Sequence, residues 1–191
     1  MHKLVCITGL TGSGKSTASD FFVKKGYKSV RFGQPVLDEV IKRGLQPIEE
    51  NERPIREELR KKYGMAAMAK LNLPTFKKFL KKGNVLGDGL YSFEEYKLLQ
   101  KEFGKKFITI AVYAPPELRY KRLAERKLLR SDIKLRSRPA TYKAAKSRDY
   151  AELENLNKGA TLAMADYTVL NTSTLQSFDK QLDAIFKALN P

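Results

Sequence analysis

A chain of 191 residues with 42% apolar side chains is long enough for one domain with a full core, and too apolar to be disordered throughout. Its 37 Lys and Arg against 21 Asp and Glu give a net charge of +16, and residues 101–148 hold 15 of those bases against 4 acids. That excess implies an anionic partner (nucleic acid, an anionic membrane surface or a nucleoside triphosphate), while a lone cysteine excludes an internal disulfide and no apolar run reaches a membrane span.

The N-terminus, MHKLVCITGL, runs straight into the first predicted strand without a small-residue cleavage site, so the expected compartment is the cytoplasm. KLVCIT (3–8) reads as a strand buried on both faces, with Cys6 an inert buried thiol. A helix follows from about Gly14 to Lys25, with Ala18, Phe21 and Phe22 on its apolar face and Gly26 past its end. YKSVRF (27–32) is a second strand. Residues 35–82 read as helical segments broken at 44–47, at Gly64 and at Pro74. NVLGD (84–88) is a third strand, after which Ser92 caps a helix to Phe103 with Glu95 as its capping-box partner. KFITIAVYA (106–114) is the strongest strand. Pro115 and Pro116 open a basic helix to about Arg130, followed by an Arg-rich loop over 131–140. Tyr142 to about Asn157 is helix, DYTVLN (166–171) is the last strand, and 174–189 form an amphipathic helix. This alternation predicts an α/β, three-layer architecture: a parallel five-stranded sheet with helices on both faces, in one domain over 1–191. Ligands in such folds bind at the carboxyl ends of the strands.

Residues 9–16, GLTGSGKS, fit the spacing G-x-x-x-x-G-K-[ST]. Glycines let consecutive backbone N–H groups turn inward around an anion, and the following helix adds its positive end. Gly9, Thr11, Gly12, Ser13 and Gly14 then line a phosphate loop. Lys15 reaches the β- and γ-phosphates, Ser16 ligates Mg²⁺, and Thr17 meets the α-phosphate. A Gly-rich turn without a ligand is the alternative. The second magnesium group is expected to be Asp88, which closes NVLGD; its alternative is a plain Asp-Gly turn.

In APPELRYKRLAERKLLRSDIKLRSRP, the residues Arg119, Arg122 and Arg126 recur at three and four residues and share a helix face; Arg130, Arg136, Arg138 and Arg148 follow. A mobile arginine flap closing on a transferred phosphate explains the set, and a solvated basic face is the other reading. On ENERPIREELRKK, Arg53, Arg56 and Arg60 stand at i, i+3 and i+7, either as an acceptor-binding face or as a solvated helix held by Glu–Arg pairs.

With these motifs in place, the chain resembles the nucleoside-monophosphate-kinase-like group of phosphate-binding-loop (P-loop) kinases, and is most similar within it to dephospho-CoA kinases and related archaeal proteins. The resemblance rests on ITGLTGSGKSTASDFFVKKGY, NVLGDGLYS, ITIAVYAPPELRYKRLAERK and ADYTVLNTSTLQSFDKQLDAI, and is thinnest over 33–83. It implies the P-loop NTP hydrolase fold, with an acceptor-binding helical region at 33–83 and a lid at 127–148. Carried over, Arg122 lies against the adenine with Asn171 and Thr172 nearby, Arg126 and Arg148 approach the phosphates, and Asp88 serves magnesium. The chain departs from the group at Arg31-Phe32-Gly33 and Gln34, where relatives carry Asp, and at Leu90-Tyr91-Ser92, where related proteins place an Arg.

The expected function is therefore an ATP- and Mg²⁺-dependent small-molecule kinase acting on dephospho-CoA or a nucleoside monophosphate, catalysed by Lys15, Asp88, Arg126 and Arg148 in a monomer. Two other readings remain. One is a nucleotide-regulated RNA- or DNA-binding module using the basic stretch beside Tyr113, Tyr120 and Tyr142. The other is a degenerate kinase that has lost its acceptor site.

Overall fold

The computed structural model describes residues 1–126 and 140–190. Five strands form one all-parallel sheet in the order β2-β3-β1-β4-β5, where β1 is Leu4–Thr8, β2 Lys28–Arg31, β3 Val85–Asp88, β4 Phe107–Tyr113 and β5 Tyr167–Leu170. β1 is central and fully buried, which is why its sequence is a continuous apolar run rather than an alternating one.

Alternation along β1 feeds two separate cores. Leu4 and Cys6 face one side with Val30, Phe32 and Val85. There they meet α2 (Gln34–Lys42), α3 (Glu49–Tyr63), α4 (Ala67–Leu80) and α5 (Phe93–Phe103) through Val36, Val40, Ile55, Phe76 and Leu99. Val5 and Ile7 face the other side, packing with Phe22 of α1 (Lys15–Lys24) and with Phe178, Leu182 and Ile185 of α9 (Leu175–Leu189). Three further helices complete the described residues: α6 (Pro116–Ala124), α7 (Tyr142–Leu156) and α8 (Lys158–Ala163). The three-layer parallel sheet expected from the sequence is present.

Three local expectations need correction. Pro74 does not break the helical region: it lies inside α4. Its ring removes one hydrogen bond, but burial of Ala67, Met68, Ala69 and Phe76 along the same helix outweighs that loss. The basic helix α6 ends at Ala124, not near Arg130, so the lid residues 127–139, with Arg130, Arg136 and Arg138, lie outside the described residues. And α8 was not expected. Asn157 takes a left-handed conformation (φ 48°), which stops α7 and lets the chain restart at Lys158.

Candidate phosphate-transfer site

The site is built where β1, β3 and β4 end together. Ile7 of β1 is in register with Asp88 of β3 and Ile110 of β4, so the loop after β1 emerges beside the carboxylate. Two further bonds fix the turn after β3: the backbone N–H of Leu90 donates to Ile7 O (3.1 Å) and Thr8 Oγ1 donates to Leu90 O (3.0 Å).

The glycines of the loop are required by contact as well as by torsion. A Cβ on Gly9 would stand 2.6 Å from Val112 O of β4, and one on Gly14 (φ 104°) would stand 2.3 Å from Asn171 Nδ2. No side chain can therefore fill the cradle at these points. A Cβ on Gly12 would stand 2.8 Å from Arg119 O.

Lys15 opens α1, and its ammonium donates to Leu10 O at 2.9 Å across the loop. Burial is the main cause that lowers its pKa to about 7; the Lys158 and Arg148 cations push the same way, against Glu152 and Asp88. One turn on, Ser19 Oγ donates to Asp88 Oδ1 at 2.7 Å, which ties the carboxylate to α1, the helix whose second residue is Ser16. A hydroxyl and a carboxylate beside a phosphate cradle are hard oxygen donors of the kind Mg²⁺ takes, with phosphate oxygens and water completing its shell. Among the described residues no group of three or more His, Cys, Asp or Glu forms a metal cage. Thr17 is exposed on the first turn of α1.

The loop is held from outside by three polar side chains. Asn171, just past β5, donates from Nδ2 to Ser13 O (2.8 Å), and Arg122 Nη1 donates to Asn171 O (2.9 Å). Thus Arg122 and Asn171 do come together, at the edge of the loop. Arg119 does something different from the expectation. It is 2% exposed, and its guanidinium donates to Thr11 O (2.9 Å) and Ala114 O (2.9 Å) and pairs with Asp149 of α7 at 2.5 Å. Arg119 therefore does not share a solvent face with Arg122 and Arg126; it props the loop from below. The turn of α6 that carries it points into the junction with α7, where Tyr120 also donates to Asp149 (2.8 Å).

Arg148 of α7 donates from Nε to Glu152 Oε1 at 3.0 Å, and the same oxygen accepts from Thr11 Oγ1 at 3.4 Å. Burial opposes charge on Glu152, but Lys158, Arg148 and Lys15 hold its pKa down to about 2. Arg126 is exposed just past α6. The three arginines of α3 are not one surface. Arg53 pairs with Glu57 and Arg56 with Glu49 and Glu52, both as ordinary helix-surface ion pairs. Arg60 turns inward: its Nε is buried without a hydrogen-bond partner, within electrostatic reach of Glu95 and Tyr91. Glu95 itself is fully buried, completes the capping box with Ser92, and is raised to about pKa 7 by burial.

Sequence reasoning missed Glu152, Lys158 and the Arg119–Asp149 pair. The i,i+4 spacing of Arg148 and Glu152 was the one available signal.

Comparison with known proteins places the chain in a family and a fold. A family model described as AAA domain matches residues 5–154. A UPF0200 protein of Thermococcus gammatolerans is 34% identical over 188 residues, covering 97% of this chain and 95% of that protein. A UPF0200/UPF0201 protein of Archaeoglobus fulgidus is 35% identical over 98% of this chain and 56% of its own length. These relatives are named UPF0200 proteins and not dephospho-CoA kinases, which corrects the finer part of the resemblance. Among solved structures, a Thermus thermophilus protein superposes with a TM-score of 0.64 at 20% identity over the whole of both chains. A shikimate kinase of Acinetobacter baumannii does so at 0.59 and 16%, over 99% of this chain and 93% of that one. The fold is that of P-loop kinases, and the chain belongs to the AAA domain family, in the company of the UPF0200 proteins.

Proposed function

We propose that the protein is an ATP- and Mg²⁺-dependent kinase that transfers the γ-phosphoryl group to a small nucleotide-like acceptor. The observation that carries this reading is the cradle at residues 9–16 with Lys15 and Asp88 converging on it. Backbone N–H groups and the N-terminus of α1 would take the phosphates, and Ser16 and Asp88 would hold Mg²⁺, which supplies charge neutralisation across the β- and γ-phosphates. Arg122 and Asn171 would flank the base. Arg148 and Arg126, as part of a lid, would exclude water from the transferred group. The transition state spreads charge over its equatorial oxygens and asks for positioning and cations, so no side-chain nucleophile is needed. That suits a chain whose Cys6 is fully buried with its thiol pKa raised by burial.

The acceptor region is 33–83, with Arg60 as its inward-facing cation. Arg31 at the end of β2 and Gln34 stand where the resembling kinases carry Asp, and the acid beside them, Asp38, accepts a hydrogen bond from Gln34 (2.7 Å). We take the acceptor to be phosphate-bearing, such as a nucleoside monophosphate, and the protein to be a monomeric cytoplasmic enzyme rather than a nucleic-acid-binding module. Among the described residues, no helix is long and apolar enough to cross a membrane.

The test is ADP release from ATP·Mg²⁺ with dephospho-CoA, each nucleoside monophosphate, or no acceptor. Stimulation by one acceptor, abolished by Lys15→Ala in a folded variant, is expected. Full turnover by Lys15→Ala would overturn the reading.

A further inference from the structure

Because the sheet is parallel, its strands all start at one end, opposite the phosphate loop. The starts of β1, β2 and β3 are locked together. Lys28 N donates to Asn84 O (3.1 Å), Val85 N to Lys3 O (2.9 Å) and Lys3 N to Asn84 Oδ1 (2.8 Å). Leu4 of β1 is in register with Phe107, the first residue of β4. Register therefore gathers basic stretches that are far apart in the chain. Lys28 opens β2, Lys81 and Lys82 lead into β3, and Lys105 and Lys106 lead into β4.

These five lysines are exposed, and none has an ion-pair or hydrogen-bond partner among the described residues. The acids of the neighbouring segments are already engaged: Glu102 with Lys77 (2.8 Å), Asp183 with Lys187 (2.8 Å) and Lys25 (3.3 Å), and Asp166 with the Thr109 amide (2.7 Å). The negative ends of α4 and α5 account for Lys77, Lys78 and Lys101 in their last turns. They do not account for Lys28 on a strand, nor for four more cations past those helices. Like charges gathered on one face repel, and a polyanion relieves that repulsion.

The face also discriminates among polyanions. From β2 to β4 is three strand spacings, about 14 Å, and one strand of a duplex holds about four phosphates in that length, a match to five lysines. Unpaired bases stack on exposed aromatic rings, and interfacial membrane sites insert exposed Trp or Phe. Among the described residues the exposed large aromatics are Tyr113, at the far end of β4, and Tyr142 and Tyr150, on α7. The helices that reach this end, α1, α4 and α5, arrive by their C-termini, so none presents the N-terminal turn that reads a DNA major groove. Short polar side chains lie between the lysines instead: Ser29 is exposed, and Asn84 hydrogen-bonds Asn190 (3.2 Å). Such groups suit ribose 2′-hydroxyls along the wide, shallow minor groove of an RNA duplex.

We propose that this lysine face docks double-stranded RNA through its phosphate backbone, independently of base sequence. The RNA is a second partner of the enzyme, bound at the opposite end of the strands from the kinase site, and its binding does not depend on the kinase reading.

The test is fluorescence anisotropy of the full chain with an end-labelled RNA duplex of about 20 base pairs and arbitrary sequence, at about 50 mM and about 200 mM salt. A DNA duplex of the same sequence and vesicles of anionic phospholipid are run beside it. Four phosphate contacts should make RNA affinity about a hundredfold lower at the higher salt. Lys81→Glu, Lys82→Glu, Lys105→Glu and Lys106→Glu combined should weaken low-salt binding by at least about thirtyfold and flatten the salt slope. All four side chains are exposed, so the melting temperature should fall by no more than about 2 °C. The same charge reversal at Lys61, Lys62, Lys143 and Lys146, exposed on α3 and α7, should weaken binding less than about fivefold. Equal losses in the two variants, or no RNA binding by the wild type at low salt, would overturn the face. Tighter binding of the DNA duplex, or binding of vesicles without RNA, would overturn RNA as its partner. None of these measurements involves ATP, so the kinase reading stands or falls separately.

Discussion

Arg119→Met distinguishes a buried prop from a flap arginine. The guanidinium makes two hydrogen bonds to backbone carbonyls, at Thr11 and Ala114, and one ion pair to Asp149, with both partners almost wholly buried. Methionine fills much of the volume but leaves the Asp149 carboxylate facing only the Tyr120 hydroxyl. Stranding one member of a buried pair costs about 3–5 kcal/mol. For a chain of this size each kcal/mol moves the melting temperature by about 2–4 °C, so a fall of about 6–20 °C is expected. Circular dichroism melts of the nucleotide-free protein would measure it. Arg119→Met combined with Asp149→Leu removes both charges, and should recover most of the loss because no ion is then left unpaired. If Arg119→Met melted within about 2 °C of wild type, less than 1 kcal/mol would be at stake and the buried-prop account would be wrong.

Three further outcomes follow from the same geometry. In the nucleotide-free protein Lys15 titrates near 7, far below its unfolded value, so between about pH 7 and pH 10 the unfolded chain binds the extra proton and stability rises with pH. Lys15→Met should remove that rise in melts at pH 7 and pH 9, and wild-type affinity for ATP should weaken above pH 7 because phosphate needs the charged lysine; a flat titration would refute both. Glu95 is displaced the other way, its folded pKa of about 7 standing above the ordinary carboxylate value of 4.5, so its contribution is complete below pH 4.5 and is lost as pH rises through 7. Glu95→Gln keeps the acceptor for the Tyr91 and Ser92 amides and should flatten stability between pH 5 and pH 8; an unchanged pH slope would refute the buried-acid account. Gly14→Ala puts a Cβ into Asn171 Nδ2 at a positive φ, so it should cost at least about 1 kcal/mol and weaken ATP binding, read by melting and by calorimetry.

The parts of the site that were legible in the sequence are those whose signal is local. Strand, Gly-rich loop and helix follow one another over residues 4–24, so apolar run, motif and helix start could be read together, and the capping box at Ser92 and Glu95 is a four-residue pattern. Illegible parts depend on partners far along the chain. Spacing placed Arg119, Arg122 and Arg126 on one helix flank, but which flank meets solvent is decided by Asp149, on a different helix. Arg60 and Arg53 share a helix, yet Glu95 lies near one and solvent near the other. Lys158 looked like one lysine among many, since nothing within five residues on either side announces Glu152 or Tyr91 as its neighbours. Pro74 was misread because local propensity cannot register the burial of Phe76.

The wide sequence separation of the loop's supports bears on the order in which the protein matures. Residues 9–16 leave the ribosome well before their neighbours, which come from β4, from Arg119, from Glu152 and finally from Asn171. A nascent chain halted just before residue 171 would carry the phosphate-binding motif and all five strands, yet lack the amide that closes against Ser13 O. On the proposed kinase reading, nucleotide affinity would then appear only once residue 171 has been made, after all five strands.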